Sequence, residues 1–439
     1  MPTPPANSAD DRLLRGVSRW ALTAFAINLT VGSGILGLPA KIQALVGNYS
    51  VVVIIACGLL MAMIALCFAE VGSRFDRSGG PQLYATYALG PTAGFTVGWL
   101  LWISRIGSCA AVANLAVDYG KVLWPQLAHP AVRALGITAL VLGYTWINIR
   151  GIRQTAAVNT TFTVLKIVPL AGFVAVGVCF VDPQALRLAG LPATVDLSTA
   201  ILLAAYAFVG FDGTTVLAGE VRDPRRSVPF AIVVSVACVL VLYTLIQIVC
   251  VGTLPDLATS ERPLADAATL MVGPWGAVVI AITAVISCAG VFGASMTPGT
   301  RLLFAMSDHG QLPHPLTRVH ERSRTPVVAI LATAVAILAL AISGSFIYLV
   351  KITLIARLSI YAITCVTLPV FRRRPDTPAA QFSLPGGPIL AIFAAMLCVL
   401  FLVKSSMREL LDVGLAMAIG LALYLSTRAH RSAVARKNV

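Results

Sequence analysis

The sequence predicts an all-α membrane protein of about twelve transmembrane helices, and three observations carry that expectation. Hydrophobic residues fill 58% of the 439 positions and charged residues only 11%, with a mean hydropathy of +0.88, so the chain lacks the polar surface of a water-soluble globule. Its apolar runs are roughly 20 residues long, the length that crosses a bilayer. Two of them are interrupted near mid-membrane depth by glycine clusters, Gly32-Ser33-Gly34 in the first and Gly210-Phe211-Asp212-Gly213 in the sixth.

In order along the chain, residues 1–19 form a polar, Pro-containing leader without a signal-peptide h-region, expected to be a cytoplasmic tail. The apolar runs then fall at 20–41, 50–71, 94–121, 132–149, 158–180, 197–217, 228–252, 276–305, 327–344, 347–369, 387–403 and 409–427. Because the broken runs are the first and the sixth, residues 20–180 and 196–369 read as two repeats of about five helices each, inverted by their odd number. The stretch 387–427 adds two helices, and 428–439 is a second cytoplasmic tail. This repeat is expected from the matched breaks and the span count.

The formal charge is +14, but the basic residues are dispersed in short loops of one parity. They include Arg12, Arg15, Arg74, Arg77, Arg150, Arg153, Arg222, Arg225, Arg226, Arg318, Arg322, Arg324, Arg372, Arg373, Arg374, Arg428, Arg431, Arg436 and Lys437. By the positive-inside rule both termini are expected to be cytoplasmic. No basic face with interleaved aromatics points to nucleic acid. All nine cysteines lie in apolar runs, so neither a disulfide framework nor a metal site is expected. His309, His314 and His320 lack ligand spacing, and no cofactor is expected.

A helix that breaks inside a membrane exposes amides and carbonyls that lipid cannot satisfy, so the breaks are expected to line a binding cavity. The first break, in Thr30-Val31-Gly32-Ser33-Gly34-Ile35, frees the amides of Ser33, Gly34 and Ile35 at the positive end of a half-helix, which suits a carboxylate. The second, in Tyr206-Ala207-Phe208-Val209-Gly210, turns carbonyls into the same space, which suits an ammonium. Together they describe an α-amino acid, bound by Thr30, Gly32, Ser33, Gly34, Ile35, Tyr206, Phe208, Val209 and Gly210. Glycines that merely permit close helix packing are the competing account.

Several motifs carry a family resemblance: Gly32-Ser33-Gly34-Ile35, Ala69-Glu70-Val71-Gly72-Ser73-Arg74 with Ser78-Gly79-Gly80, Phe208-Val209-Gly210-Phe211-Asp212, Gly219-Glu220-Val221-Arg222-Asp223-Pro224-Arg225-Arg226-Ser227-Val228-Pro229, and Arg301-Leu302-Leu303-Phe304-Ala305-Met306 through Gly310-Gln311-Leu312-Pro313. With them the chain resembles the amino acid–polyamine–organocation superfamily of permeases, whose fold is that of the bacterial leucine transporter. The likeness spans about the first 370 residues. It implies sodium-independent uptake or exchange by alternating access; Pro81-Gln82-Leu83-Tyr84 departs from the aromatic that often follows Gly-Gly-Pro in relatives. Relatives that pair with a glycoprotein subunit carry a cysteine after the third helix. Residues 124–131 have none, so no such subunit is expected.

Three charges stand out at depth. Lys166, about eight residues or roughly 12 Å into the fifth helix, is costly there unless it finds acceptors. By the resemblance it looks like a stand-in for the sodium ion of sodium-coupled relatives, bracing the unwound first helix. It is expected either to couple proton movement to transport or to act as a permanently charged brace. Asp212, directly after the second break, reads as a pH-responsive gate or as a cap for free amides. Arg105 reads as a contact for an acidic substrate group, or as the partner of Asp212 or of backbone carbonyls. Lys351 and Arg357 are expected to snorkel or to pair locally.

The expected function is secondary active transport of a neutral or acidic amino acid by alternating access, as proton-coupled symport or as exchange. An exchanger of amino acids or polyamines without proton coupling, and a non-transporting amino acid sensor, are the alternatives. No nucleotide-binding P-loop is present, and an enzyme is not expected. The expected setting is a bacterial inner membrane, with the protein as monomer or homodimer.

Overall fold

The computed structural model describes residues 16–150, 156–188, 190, 193–320, 323 and 325–437. Arg12, Arg15, Arg153, Arg322 and Arg324, and with them most of the N-terminal tail, lie outside the described residues. The described residues are mainly helical, and among them the β-type pairing is one isolated bridge, Val17 with Val221.

The first apolar run is split into α1 (Arg19–Thr30), α2 (Ser33–Gly37) and α3 (Pro39–Val46). Ser18 caps α1 by accepting from the Ala21 amide at 3.2 Å, which fixes where this helix begins. There follow α4 (Ser50–Gly72), α5 (Gly80–Leu89), α6 (Pro91–Gly120), α7 (Pro130–Arg150) and α8 (Ala156–Gly177). The sixth run is split into α9 (Thr194–Ala207) and α10 (Gly213–Val216). The chain continues through α11 (Pro224–Thr253), α12 (Pro263–Val272), α13 (Pro274–Asp308), α14 (Val327–Ser343), α15 (Phe346–Arg373), α16 (Gly387–Val403) and α17 (Met407–Lys437).

The apolar stretches are helical, the first and the sixth as broken helices. Nine helical stretches among the described residues are long and apolar enough to cross a membrane, and shorter apolar helices cover 196–207, 263–272, 327–343 and 387–403. The short helices α5 and α12 are additions to the sequence expectation, and α17 runs on to Lys437, through most of the expected C-terminal tail. Proline at the first turn of α6, α11, α12 and α13 suits a position whose amide needs no intrahelical acceptor.

Buried position, rather than polarity, separates the inner helices from the outer ones. α6 is the hub, packed most extensively against α13 and α15, and its interior carries Ser104, Arg105 and Asn114 as buried polar residues. α16 and α17 instead turn Ile389, Met396, Val403, Leu411 and Leu415 outward, as a surface that meets lipid must. The Trp99 indole donates to the Ala416 carbonyl at 2.8 Å and so ties α17 to the hub.

Candidate functional site

The two interruptions meet. α1 ends at Thr30, and its C-cap Val31 is extended (φ −77, ψ 96) before the chain resumes helix at Ser33. α9 ends at Ala207 and helix resumes at Gly213. Gly210 lies in the left-handed region (φ +138), and a Cβ there would stand 2.8 Å from the carbonyl carbon and oxygen of Leu29. A Cβ on Gly34 would stand 2.4 Å from the Ala207 Cα. Both glycines are thus required by main-chain approach of one break to the other, in keeping with the residue's freedom from a side chain.

Side chains lock this contact. Ser33 Oγ and Tyr206 OH, one from each break, lie 2.8 Å apart. Tyr243 of α11 donates to the Thr30 carbonyl at 2.9 Å, and its ring packs on Phe208 with centroids 5.3 Å apart. Lys166 of α8, fully buried, donates to the carbonyls of Asn28 at 3.0 Å and Val31 at 2.9 Å. Ser287 of α13 adds a bond to Val31 at 3.2 Å. Carbonyls released by the end of α1 are therefore met by a cation and two hydroxyls, which removes the cost of leaving them unpaired.

Other main-chain groups stay open. Gly32, the N-cap of α2, offers no side-chain acceptor, so the first amides of that half-helix lack the partner that a helix start normally finds in its cap. Among the described residues, no hydrogen bond is made to the carbonyls of Phe208 and Val209. Thr30 turns its own hydroxyl back to the Ala26 carbonyl at 2.9 Å, and Ile35 is buried in the core.

Asp212 makes no capping hydrogen bond with its side chain. It is fully buried and ion-paired with Arg357 of α15, while Tyr361 donates to Oδ1 at 3.0 Å. Arg357 also donates to Ser104 Oγ at 2.5 Å. Arg357, not Arg105, is thus the partner of Asp212. Arg105 lies on α6 beside Gly299 of α13, where an added Cβ would touch its aliphatic stem at 3.5 Å. Lys351 pairs with Glu409 at 3.3 Å, beside a cavity of about 140 Å³ lined by Leu202, Leu354 and Lys404.

At one end of the bundle the sequence motifs converge on Glu70. Arg372 grips both carboxylate oxygens at 2.7 Å, the Leu384 amide donates at 2.9 Å, and Arg74 stands at 3.4 Å. Arg225 donates to the Ser73 carbonyl at 3.1 Å, and the Gly219 amide donates to Ser78 Oγ at 3.2 Å. Val17 is tied by main-chain bonds to the segment after α10, donating to the Glu220 carbonyl at 3.0 Å and accepting from the Arg222 amide at 2.9 Å.

Sequence reasoning missed Arg357 as the partner of Asp212, and it missed Tyr243 and Ser287. Depth marked Arg357, about three helical turns into α15. The two hydroxyls had no such marker.

A family profile described as amino acid permease matches residues 17–419. A methylthioribose transporter of Bacillus subtilis is 27% identical over 450 residues, covering 97% of this chain and 96% of its own length. A branched-chain amino acid permease of the same organism is 26% identical over 458 residues, covering 97% and 96%. An uncharacterized transporter of Mycobacterium tuberculosis, Rv1999c, is 26% identical over 430 residues, covering 96% and 94%.

Proposed function

Because this chain belongs to the amino acid permease family, and so is a multi-pass membrane transporter rather than an enzyme, we propose that it is a secondary transporter of α-amino acids working by alternating access. One observation carries the proposal: two broken helices in main-chain contact, with open amides on one side and open carbonyls on the other. Amides of Ser33, Gly34 and Ile35 take the substrate carboxylate, as helix starts do with anions. Carbonyls of Phe208 and Val209 take its ammonium, and Tyr206 and Phe208 shape the space between.

The proposed architecture is the inverted repeat of 20–180 and 196–369, with 387–427 as additional helices and both termini cytoplasmic. On that orientation the Glu70–Arg372 cluster closes the cytoplasmic end. Lys166 braces the first break and couples the cycle to protons, and Asp212 with Arg357 holds α10 to α15. Uptake with protons and amino acid exchange both fit this arrangement. The relatives' names cover a branched-chain amino acid permease and a methylthioribose transporter, so the family name alone does not select a side chain.

Flux into proteoliposomes of the purified protein, with labelled amino acids and with or without a pH gradient, tests the reading. Uptake that saturates and is driven by an inward proton gradient, or by preloaded amino acid, is the expected result. Absence of both for every common amino acid sinks it.

A further inference from the structure

Among the described residues, Arg105 is a buried cation with no ion pair of its own. It is 4% exposed, and among the described residues no hydrogen bond or ion pair reaches its guanidinium, while the nearby carboxylate of Asp212 is occupied by Arg357 and Tyr361. Among the described residues, the buried Lys, Arg, Asp and Glu side chains around the breaks are Lys166 at 0%, Arg105 at 4% and Arg357 at 5% exposure as cations, against Asp212 at 0% as the acid. The other buried carboxylates have cations of their own: Glu70 has Arg372 and Arg74, and Glu409 has Lys351.

A guanidinium keeps its proton in a protein, so this imbalance is not relieved by Arg105 becoming neutral. An unpaired charge taken out of water is among the most costly features a fold can hold. Position indicates what offsets it. Gly32 faces Val291 of α13, and Cys109 of α6 reaches the next carbonyl, Phe292, at 3.6 Å. Arg105 is one turn of α6 before Cys109, roughly 6 Å along the helix. Gly299 of α13, lacking a side chain, leaves room for its stem. On this placement, a ligand whose α-carbon group sits at the breaks would turn the far end of its side chain toward Arg105.

We propose that the substrate is itself the counter-ion: the transported amino acid carries a second acidic group, which pairs with Arg105. The inference rests on the permease reading above and narrows it to amino acids with a net negative charge. Charge-assisted pairing in a dry site is strong enough to separate an acid from its isosteric amide by about tenfold or more.

Competition for uptake into proteoliposomes, in chloride-free buffer, sets aspartate and glutamate against asparagine and glutamine. The acids are expected to compete about tenfold or more better in the wild-type protein. Arg105→Gln is expected to bring the two classes within about twofold while neutral amino acids still move, and Arg105→Lys is expected to keep part of the preference. If Arg105→Gln fails to accumulate, the wild-type ranking decides alone. Amides competing as well as acids, a preference for acids that survives Arg105→Gln, or neutral amino acid flux that requires added chloride overturns the proposal. Each of those results leaves the permease reading in place, whereas absence of all amino acid flux overturns both.

Discussion

Gly210 lies against the main chain of Leu29 so closely that a methyl group on it would stand 2.8 Å from the Leu29 carbonyl. That contact joins the second helix break to the first. Gly210→Ala has to move one break away from the other and hold alanine at φ +138. We expect it to abolish uptake and to cost about 1–3 kcal/mol of stability, read from thermal unfolding in detergent. Gly143→Ala, at a site with nothing within 4 Å, is the control and should leave both unchanged.

Lys166 is the next test. Lys166→Met removes the donor shared by the Asn28 and Val31 carbonyls; Val31 keeps its bond from Ser287, so the expected loss is about 1–3 kcal/mol in all. Uptake measured across external pH should fall, and what remains should no longer respond to a proton gradient. A variant that keeps its rate and its pH profile removes Lys166 from the coupling.

For Asp212 and Arg357, stability and transport should separate. Asp212→Asn and Arg357→Gln each leave the partner charge buried, with a loss of about 3–5 kcal/mol. The double variant has no such charge, so its melting temperature should recover most of that loss while uptake stays low. Equal melting temperatures for the single and double variants would show that the pair is not the determinant.

Glu70→Gln replaces the carboxylate that holds α4 to α15 and to the Leu384 amide. Loss of charge-assisted bonds of this kind predicts a destabilisation of at least about 2 kcal/mol. A cysteine placed at Ser78, beside Gly219, should react faster with a membrane-impermeant thiol reagent in that background when the reagent is on the side the Glu70 cluster closes. An unchanged labelling rate would argue against a closing role.

The helices were legible because a bilayer tolerates little else, and the breaks were legible because glycine at depth is expensive unless it is used. Contacts between distant segments were not. Glu70 and Arg372 are separated by 302 positions, and nothing in either local pattern joins them. Arg357 read as a snorkelling residue because arginine in an apolar run has that easy alternative, whereas three turns of depth favour a buried pair. Arg105 was visible as a buried charge, but sequence could not say that Asp212 already has a partner. Tyr243 and Ser287 act through single hydroxyls in apolar helices, where such residues are ordinary.

The central claim is that the paired breaks clamp both ends of a zwitterion, and blocking those ends one at a time tests it most directly. Competition for uptake should be compared for the best transported amino acid, its methyl ester and its N-acetyl derivative. The account predicts that each modification weakens competition by about tenfold or more, since each removes a charged group from main-chain partners that then go unpaired. Competition by the ester and the N-acetyl compound equal to that of the parent amino acid would contradict it.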